Sequence, residues 1–247
     1  MKKVAFYGKG GIGKSTTVSN LSRALSEKGL KVMQIGCDPK SDSTVNLTGG
    51  KRIPTVLDSM LRKGNNVTLD DIVHTGSGGI LCVETGGPKP GSGCAGRGVI
   101  TAFEKLERLG AFERYKPDIV IYDVLGDVVC GGFALPIRNG YAEDVYIVTS
   151  GERMALYAAD NISQSVKNNS SRGYAKVKGL VLNKRNVPNE DEIVKDVSKE
   201  MGTTVLITIP RNLIVQEAEN RGMTVIEYSP DSEMADVYRK LADIVIS

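Results

Sequence analysis

The 247-residue chain lacks several features that mark whole classes of protein. It has no run of 18 uncharged apolar residues, so we expect no membrane-spanning helix. It has no dense run of lysine or arginine and a net charge of only +3, which argues against a nucleic-acid-binding protein. No apolar signal segment follows Met1–Val4, so we expect a cytoplasmic protein.

Histidine and cysteine are also scarce. The single histidine, His74, is expected at the surface or in a hydrogen bond rather than on a metal. The four cysteines include no C-x-x-C pair, so no segment makes a zinc or ferredoxin site alone. In a cytoplasmic chain, cysteines are more typical of metal ligands or buried thiols than of disulfides. We interpret Cys82, inside an apolar strand, and Cys37 as structural thiols.

Short runs rich in valine and isoleucine alternate with segments of helical spacing. The runs lack polar alternation, which is typical of parallel strands covered on both faces. We predict strands at 4–7, 32–35, 80–83, 119–122, 145–148, 177–182 and 205–209, and helices at 15–27, 98–109, 153–166, 190–200 and 213–221. This alternation predicts one α/β domain over residues 1–247, with a doubly wound, mainly parallel sheet and helices on both faces.

Residues 232–246 form a further helical pattern with an apolar stripe that includes Met234, Tyr238 and Leu241. A membrane-binding helix has a basic polar face, whereas this polar face carries charges of both signs. We therefore interpret the stripe as core packing and expect no membrane contact.

Residues 8–15 match the G-x-x-x-x-G-K-[ST] motif between the first strand and the first helix, which predicts a P-loop NTPase. Its glycines let backbone N–H groups surround a phosphate, and the helix N-terminus adds positive charge. Lys14 is predicted to reach the β- and γ-phosphates, and Ser15 to bind Mg²⁺. The expected nucleotide contacts of this loop are Gly8, Lys9, Gly10, Gly11, Ile12, Gly13, Lys14, Ser15 and Thr16.

A second lysine, Lys9, lies early in the loop and makes the motif K-G-G-x-G-K-[ST], the deviant Walker A form. This form marks dimeric ATPases in which the lysine reaches the nucleotide of the partner. Lys9 therefore predicts a nucleotide-gated dimer; the alternative is a solvent-exposed lysine.

Carboxylates follow two other predicted strands at the same edge of the sheet. Asp38 and Asp42 follow the second strand and can hold Mg²⁺ through water or orient the attacking water. Asp123 ends the strand 119–122, as a Walker-B carboxylate does. Asp127 follows a glycine and is a candidate for the water-activating base. These four residues, with Lys9 and Lys14, are the candidate catalytic groups.

The two remaining cysteines, Cys94 and Cys130, lie in glycine-rich segments. Glycine beside a cluster ligand lets backbone N–H groups approach the sulfurs. Two ligands from one chain and two from a symmetry mate would complete a Cys₄ set. Cys130 also follows the candidate carboxylates Asp123 and Asp127 within a few residues, which offers a means of coupling ATP hydrolysis to a cluster. By spacing alone, packing roles for the cysteines remain an open alternative.

Taken together, these segments resemble the nitrogenase iron protein family. The matching stretches are residues 7–17, 36–40, 83–88, 93–98, 122–133 and 221–228, and they extend over nearly the whole chain.

The resemblance implies a homodimer with MgATP in both subunits and one [4Fe–4S] cluster held by Cys94 and Cys130 of each subunit. It implies that a larger nitrogenase or nitrogenase-like protein receives one electron per cycle, supplied by a ferredoxin or flavodoxin. Arg97 matches the arginine that some members control by ADP-ribosylation. The further nucleotide contacts that we expect are Lys40, Asn183, Pro210, Arg211, Gln216 and Glu219.

The branch of the family stays open at this point. Residues 33–37 and 49–58 resemble the reductase components of tetrapyrrole-reducing complexes, of the nickel-sirohydrochlorin reductive cyclase or protochlorophyllide reductase type. Residues 93–98 and 150–159 look more like nitrogenase iron proteins. We favour a nitrogenase-like reductase.

Two other classes share parts of the pattern. A ParA- or MinD-like positioning ATPase also has both P-loop lysines, but it would need a DNA-binding basic face or a basic membrane helix. A scaffold that carries iron–sulfur clusters also has a deviant P-loop, but its cysteines normally form a C-x-x-C pair near the C-terminus.

Overall fold

The computed structural model describes residues 1–87, 95–126, 140–170 and 175–247, which contain an eight-stranded sheet. Its strands are β1 (Lys2–Tyr7), β2 (Val32–Cys37), β3 (His74–Thr75), β4 (Leu81–Glu84), β5 (Ile119–Val124), β6 (Asp144–Thr149), β7 (Lys176–Asn183) and β8 (Val205–Ile209). Their spatial order is β3-β4-β2-β5-β1-β6-β7-β8. All neighbours pair in parallel except β3 with β4, so the sheet is mainly parallel, as predicted.

The helices of the described residues connect these strands. They are α1 (Lys14–Glu27), α2 (Val56–Lys63), α3 (Ala95–Arg108), α4 (Ala111–Tyr115), α5 (Arg153–Ser170), α6 (Glu190–Glu200), α7 (Leu213–Asn220), α8 (Val225–Tyr228) and α9 (Glu233–Ile246). Short 3₁₀ turns lie at Val45–Leu47, Gly64–Asn66, Leu69–Asp71 and Ser77–Gly79.

The seven predicted strands and six predicted helices are confirmed, with ends that differ by a few residues. The sequence pattern did not predict β3, α2, α4 or α8, which have two to eight residues each. His74, in β3, is half-buried, and its Nε2 has no hydrogen-bond partner among the described residues. The expectation of a surface or hydrogen-bonded histidine is therefore only partly met.

Helices cover both faces of the sheet. In β1, successive buried side chains point alternately to one face and to the other. Val4 and Phe6 join a core with α1, α7, α8 and α9, whereas Ala5 and Tyr7 join a core with α2 to α6. Strands buried on both faces need continuous apolar sequence rather than alternation, which is why these runs are rich in valine and isoleucine. The result is the doubly wound α/β architecture expected of a P-loop NTPase.

The C-terminal helix α9 packs in the core, as predicted. Met234, Tyr238 and Leu241 are almost completely buried on the α1 side of the sheet. An ion pair of 3.1 Å between Arg239 and Glu27 also joins α9 to α1. Within the described ranges, no helix combines the length and the apolar character needed to cross a bilayer.

The strand order brings three loops together at the carboxyl edge of the sheet. Asp123 of β5 lies in register with Phe6 of β1 on one side and with Gly36 of β2 on the other. The segments that follow these strands therefore converge, because parallel neighbours end at the same edge. This convergence positions the candidate site.

Candidate functional site

The P-loop connects β1 to α1 and leaves the start of that helix open. Gly13 is the N-cap residue with φ 90°, and no side chain caps the helix among the described residues. The first turn of α1 carries no acidic residue. Its backbone N–H groups and the helix dipole thus remain available to an anion such as a phosphate.

Lys14 and Asp123 form a buried ion pair at the centre of the site. Lys14 is the first residue of α1, and Asp123 is the penultimate residue of β5, which lies between β1 and β2. Lys14 is 7% exposed and Asp123 is 1% exposed, so the charges neutralise each other away from water. Removal of either partner would leave an uncompensated charge in the interior.

The loop after β2 carries the next two predicted carboxylates. Asp38 is half-buried and accepts a hydrogen bond of 2.9 Å from the backbone N–H of Lys40. Asp42 is exposed and lines the cavity described below. Ser41 between them adopts φ 53°, a left-handed conformation that only a tightly folded loop imposes on a serine.

A cavity of about 890 Å³ lies above the sheet edge. Most of the sequence-predicted nucleotide residues line it, namely Lys9, Gly10, Gly11, Gly13, Lys14, Ser15, Thr16, Asp38, Lys40, Asp42, Asn183, Pro210, Arg211, Gln216 and Glu219. Its volume is in the range of pockets that bury small-molecule ligands. The structure therefore brings predicted residues from four separate segments, 9–16, 38–42, 183 and 210–219, into one cleft that suits a nucleotide.

Two predicted P-loop contacts, Gly8 and Ile12, do not line this cavity. The Ile12 side chain is buried in the core on the α1 side. Gly8 packs against Gly126, and a Cβ at Gly126 would lie 2.7 Å from the Gly8 backbone nitrogen. Gly126 is thus required for the close contact between the P-loop and the segment that follows Asp123.

The far wall of the cavity is held to the P-loop by side chains from β7 and α7. Asn183 donates a 2.7 Å hydrogen bond to the carbonyl of Ile12, and Thr16 donates one to Glu219. Arg185 donates to the carbonyl of Gly11 and also lines the cavity. The sequence analysis did not predict Arg185 as a site residue. Its position two residues after Asn183, a predicted nucleotide contact, could have indicated it.

Glu84, which the sequence interpretation gave no role, is a fully buried carboxyl group beside this site. Its Oε1 accepts hydrogen bonds from the backbone N–H and the hydroxyl of Thr44, at 2.8 and 2.7 Å. Burial raises the pKa of Glu84 to about 8 against the effect of these hydrogen bonds, and the nearby Asp123 and Asp42 raise it further. The only sequence signal was an acidic residue at the end of an apolar strand.

The candidate cluster ligands Cys94 and Cys130, with Asp127, lie outside the described residues. Cys94 is followed directly by α3, on which Arg97 is exposed. Cys37 and Cys82 are buried, as predicted, and burial raises the pKa of both thiols, to about 12 for Cys82. A thiolate is the form that binds metal, so these two residues are poor candidates for ligands.

Comparison with known proteins identifies the family to which this chain belongs. Residues 2–247 match the model of the "4Fe-4S iron sulfur cluster binding proteins, NifH/frxC family". The chain is 54% identical over 250 residues to a nitrogenase iron protein of Methanospirillum hungatei, covering 100% of this chain and 88% of the relative. It is 51% identical over 246 residues to a nitrogenase iron protein of Methanococcus voltae, covering 99% and 88%.

Solved structures similar to this chain include two MinD proteins. The cell division ATPase MinD of Pyrococcus furiosus is 20% identical with a TM-score of 0.75, covering 100% of this chain and 99% of that one. MinD of Pyrococcus horikoshii, complexed with Mg-ADP, is 22% identical with a TM-score of 0.76, covering 99% and 96%. At this level of identity the likeness establishes the P-loop ATPase fold alone.

The buried ion pair makes the first prediction. Asp123→Asn should lower the free energy of unfolding by about 3 kcal/mol without nucleotide, because it strands the Lys14 charge in the interior. Urea denaturation measures this loss. Asp196→Asn, which breaks the exposed ion pair with Lys199, should leave stability close to wild type. Equal effects of the two substitutions would contradict the role given to the pair.

Glu84 makes the second prediction. Because its pKa is raised, the folded protein keeps a proton that the unfolded chain releases between about pH 5 and about pH 8. Folding stability should therefore fall as pH rises through this window. Glu84→Gln should flatten that slope by up to roughly 1.4 kcal/mol per pH unit, measured by urea denaturation at a series of pH values. Parallel slopes for the two proteins would rule out a protonated Glu84.

Proposed function

Because this chain belongs to the 4Fe-4S iron sulfur cluster binding proteins of the NifH/frxC family, we propose that it passes single electrons to a nitrogenase or nitrogenase-like catalytic protein. The chain is an ATP-hydrolysing oxidoreductase component of the nitrogenase reductase type. The observation that carries the ATPase part is the cleft in which the buried Lys14–Asp123 pair meets the P-loop.

In this proposal the phosphates of ATP bind to the backbone N–H groups at the start of α1. Lys14 would exchange Asp123 for the phosphates, and Ser15 and Asp123 are the residues that would hold the hydrated Mg²⁺, which would neutralise phosphate charge. Asp38 and Asp42, which line the cavity from the loop after β2, would hold the same ion through water. The base and ribose occupy the wall formed by Asn183, the Pro210–Arg211 loop, Gln216 and Glu219. Asp127 is the proposed base for the attacking water.

Lys9 supports a homodimer in this scheme. It is half-buried and lines the cavity, early in the P-loop. From that position in one subunit, it is proposed to reach the nucleotide of the other, so that hydrolysis requires the paired state. Nucleotide binding and dimer geometry then depend on each other.

The contact between Gly126 and Gly8 supports a link from the nucleotide to the redox centre. A shift of the P-loop on nucleotide binding moves Gly126, and the same chain continues to Asp127 and Cys130. Cys94 and Cys130 of two subunits would hold one [4Fe–4S] cluster, since the other two cysteines are buried thiols. Such a cluster supplies one-electron transfer whose potential depends on solvent exposure and hydrogen bonds to sulfur.

Partners and regulation complete the proposal. A ferredoxin or flavodoxin supplies electrons, and a larger nitrogenase-type protein receives them. Exposed Arg97, just after Cys94, is a proposed site of ADP-ribosylation.

The alternatives have less support. The relatives at 49–54% identity are named nitrogenase iron proteins, which does not favour a tetrapyrrole-reducing complex. The likeness to MinD proteins at 20–22% identity concerns the fold and carries no positioning function over to this chain.

Iron content tests the redox part directly. The wild-type protein, purified without oxygen, should hold about two irons per chain and give an EPR signal when reduced. Cys94→Ser and Cys130→Ser should each lose most of that iron, because each removes two of the four ligands in a dimer. Cys82→Ala removes a buried thiol and should keep it. Metal-free wild-type protein with full ATPase activity would point to a positioning ATPase instead.

Lys9 tests the dimer part. Lys9→Ala should lower ATP hydrolysis by at least about tenfold, because the partner's nucleotide loses a positive charge at its phosphates. Binding of ADP to the variant should change by less than about threefold, as measured by titration calorimetry. Lys51→Ala removes an exposed lysine outside the cavity and serves as the charge-matched control. Wild-type hydrolysis by Lys9→Ala would remove the support for a reach across the dimer.

A further inference from the structure

Glu84 joins two parts of the sheet edge that the sequence separates by 40 residues. It is the last residue of β4, and its Oε1 holds both the backbone N–H and the hydroxyl of Thr44. Thr44 is almost completely buried and ends the loop that carries Asp38 and Asp42. Two hydrogen bonds from one residue to one oxygen fix both its backbone and its side chain.

The other carboxyl oxygen of Glu84 occupies space that is left by a glycine on the neighbouring strand β2. Oε2 is buried and has no hydrogen-bond partner in the part of the chain that the structure describes. It lies against Gly36 of β2, where a Cβ would collide with it, and a Cβ there would also lie 2.6 Å from the Cβ of Ser43. A buried carboxyl group with one oxygen unsatisfied costs free energy, so its position is unexplained by stability alone.

Ser43, the residue before Thr44, is held by a second set of hydrogen bonds. The amide of Gln34 in β2 donates to the Ser43 carbonyl at 2.8 Å and to its hydroxyl at 3.0 Å. Ser19 of α1 donates to the same carbonyl at 2.9 Å, and Ser22 donates to the Oε1 of Gln34 at 2.8 Å. The dipeptide Ser43–Thr44 is therefore tied to α1, β2 and β4 together.

These contacts divide the loop after β2 into two parts. Ser43 and Thr44 are buried and held by hydrogen bonds to other elements, whereas Asp42, one residue earlier, is exposed to the cavity. The fixed end decides how far Asp42 lies from the P-loop, because one residue spans less than about 4 Å. A displacement of Thr44 would therefore also displace the carboxylates of Asp38 and Asp42.

We infer that Glu84 is a positioning residue for the ATP reaction, which holds Thr44 so that Asp38 and Asp42 face the metal-bound phosphates. The inference rests on the proposed function, since it assigns a role within the same nucleotide site. Glu84 touches no nucleotide atom in this scheme and acts through Thr44. Its contribution should therefore appear in steps that need Mg²⁺ and be small for ADP binding without Mg²⁺.

The test measures ATP hydrolysis and ADP affinity, with Mg²⁺ and with a chelator, on full-length protein purified without oxygen. Glu84→Ala should lower kcat by at least about tenfold, since a small misplacement of positioned groups is costly. Its ADP affinity in chelator should stay within about twofold of wild type. Glu84→Gln keeps an acceptor for Thr44 and should recover most of the lost rate. Val194→Ala, a core truncation in α6, controls for general loss of stability.

Thr44→Val gives a second arm that removes the hydroxyl donor but retains the buried shape. It should lower kcat several-fold, and in combination with Glu84→Ala the two losses should be non-additive, because they act on one contact. If Glu84→Ala does not fold, the kcat of Thr44→Val alone tests whether the contact between Glu84 and Thr44 contributes to hydrolysis. Additive losses, or a wild-type kcat in Thr44→Val, would overturn the inference.

The outcomes separate the two levels of the proposal. Wild-type protein that neither binds nor hydrolyses ATP would refute the proposed function itself. A wild type that hydrolyses ATP, with Glu84→Ala no slower than Val194→Ala, would refute the role of Glu84 alone. Equal loss of ADP affinity with and without Mg²⁺ would also refute it, because that result indicates general damage to the P-loop.

Discussion

The buried ion pair between Lys14 and Asp123 is the contact on which the nucleotide site depends. It places Lys14, the P-loop lysine that we predict to reach phosphate, next to the carboxylate of Asp123 near the end of β5. Neither charge is stable in the interior alone, so each determines where the other lies. In the proposed mechanism, an anionic ligand would compete for Lys14 and thereby free Asp123. The pair would then convert the binding of phosphate into a rearrangement of the end of β5, the strand that precedes Cys130 in the sequence.

The parallel sheet makes this conversion possible. Since β5 lies between β1 and β2, the segment after Asp123 contacts the P-loop on one side, and the loop after β2 lies on the other. Gly126 rests on Gly8, and Glu84 holds Thr44 from the neighbouring strand β4. The cleft is thus surrounded by segments that contact one another at the sheet edge, and the strands beneath them are buried.

Much of this fold was predictable, for definite physical reasons. Uninterrupted valine and isoleucine runs identify buried parallel strands, and the P-loop motif fixes where β1 ends and α1 begins. The short elements escaped because local hydrophobic periodicity needs about three turns to stand out. Helix α2 did carry a sequence signal, because Thr55 and Asp58 have the spacing of an N-cap threonine and an acidic third residue. In the structure, the Thr55 side chain accepts a hydrogen bond from the backbone N–H of Asp58. The burial of Glu84 was not predictable, because it depends on Gly36 and Thr44, which become its neighbours only in the folded sheet.

In the proposed mechanism, triphosphate bound at the P-loop changes the surroundings of an iron–sulfur centre held by Cys94 and Cys130. The midpoint potential of that centre, measured by EPR-monitored redox titration with and without MgATP, tests it most directly. MgATP should shift the potential of the wild-type protein and leave that of Lys14→Ala unchanged. An iron–sulfur centre whose potential is the same with and without saturating MgATP would contradict it.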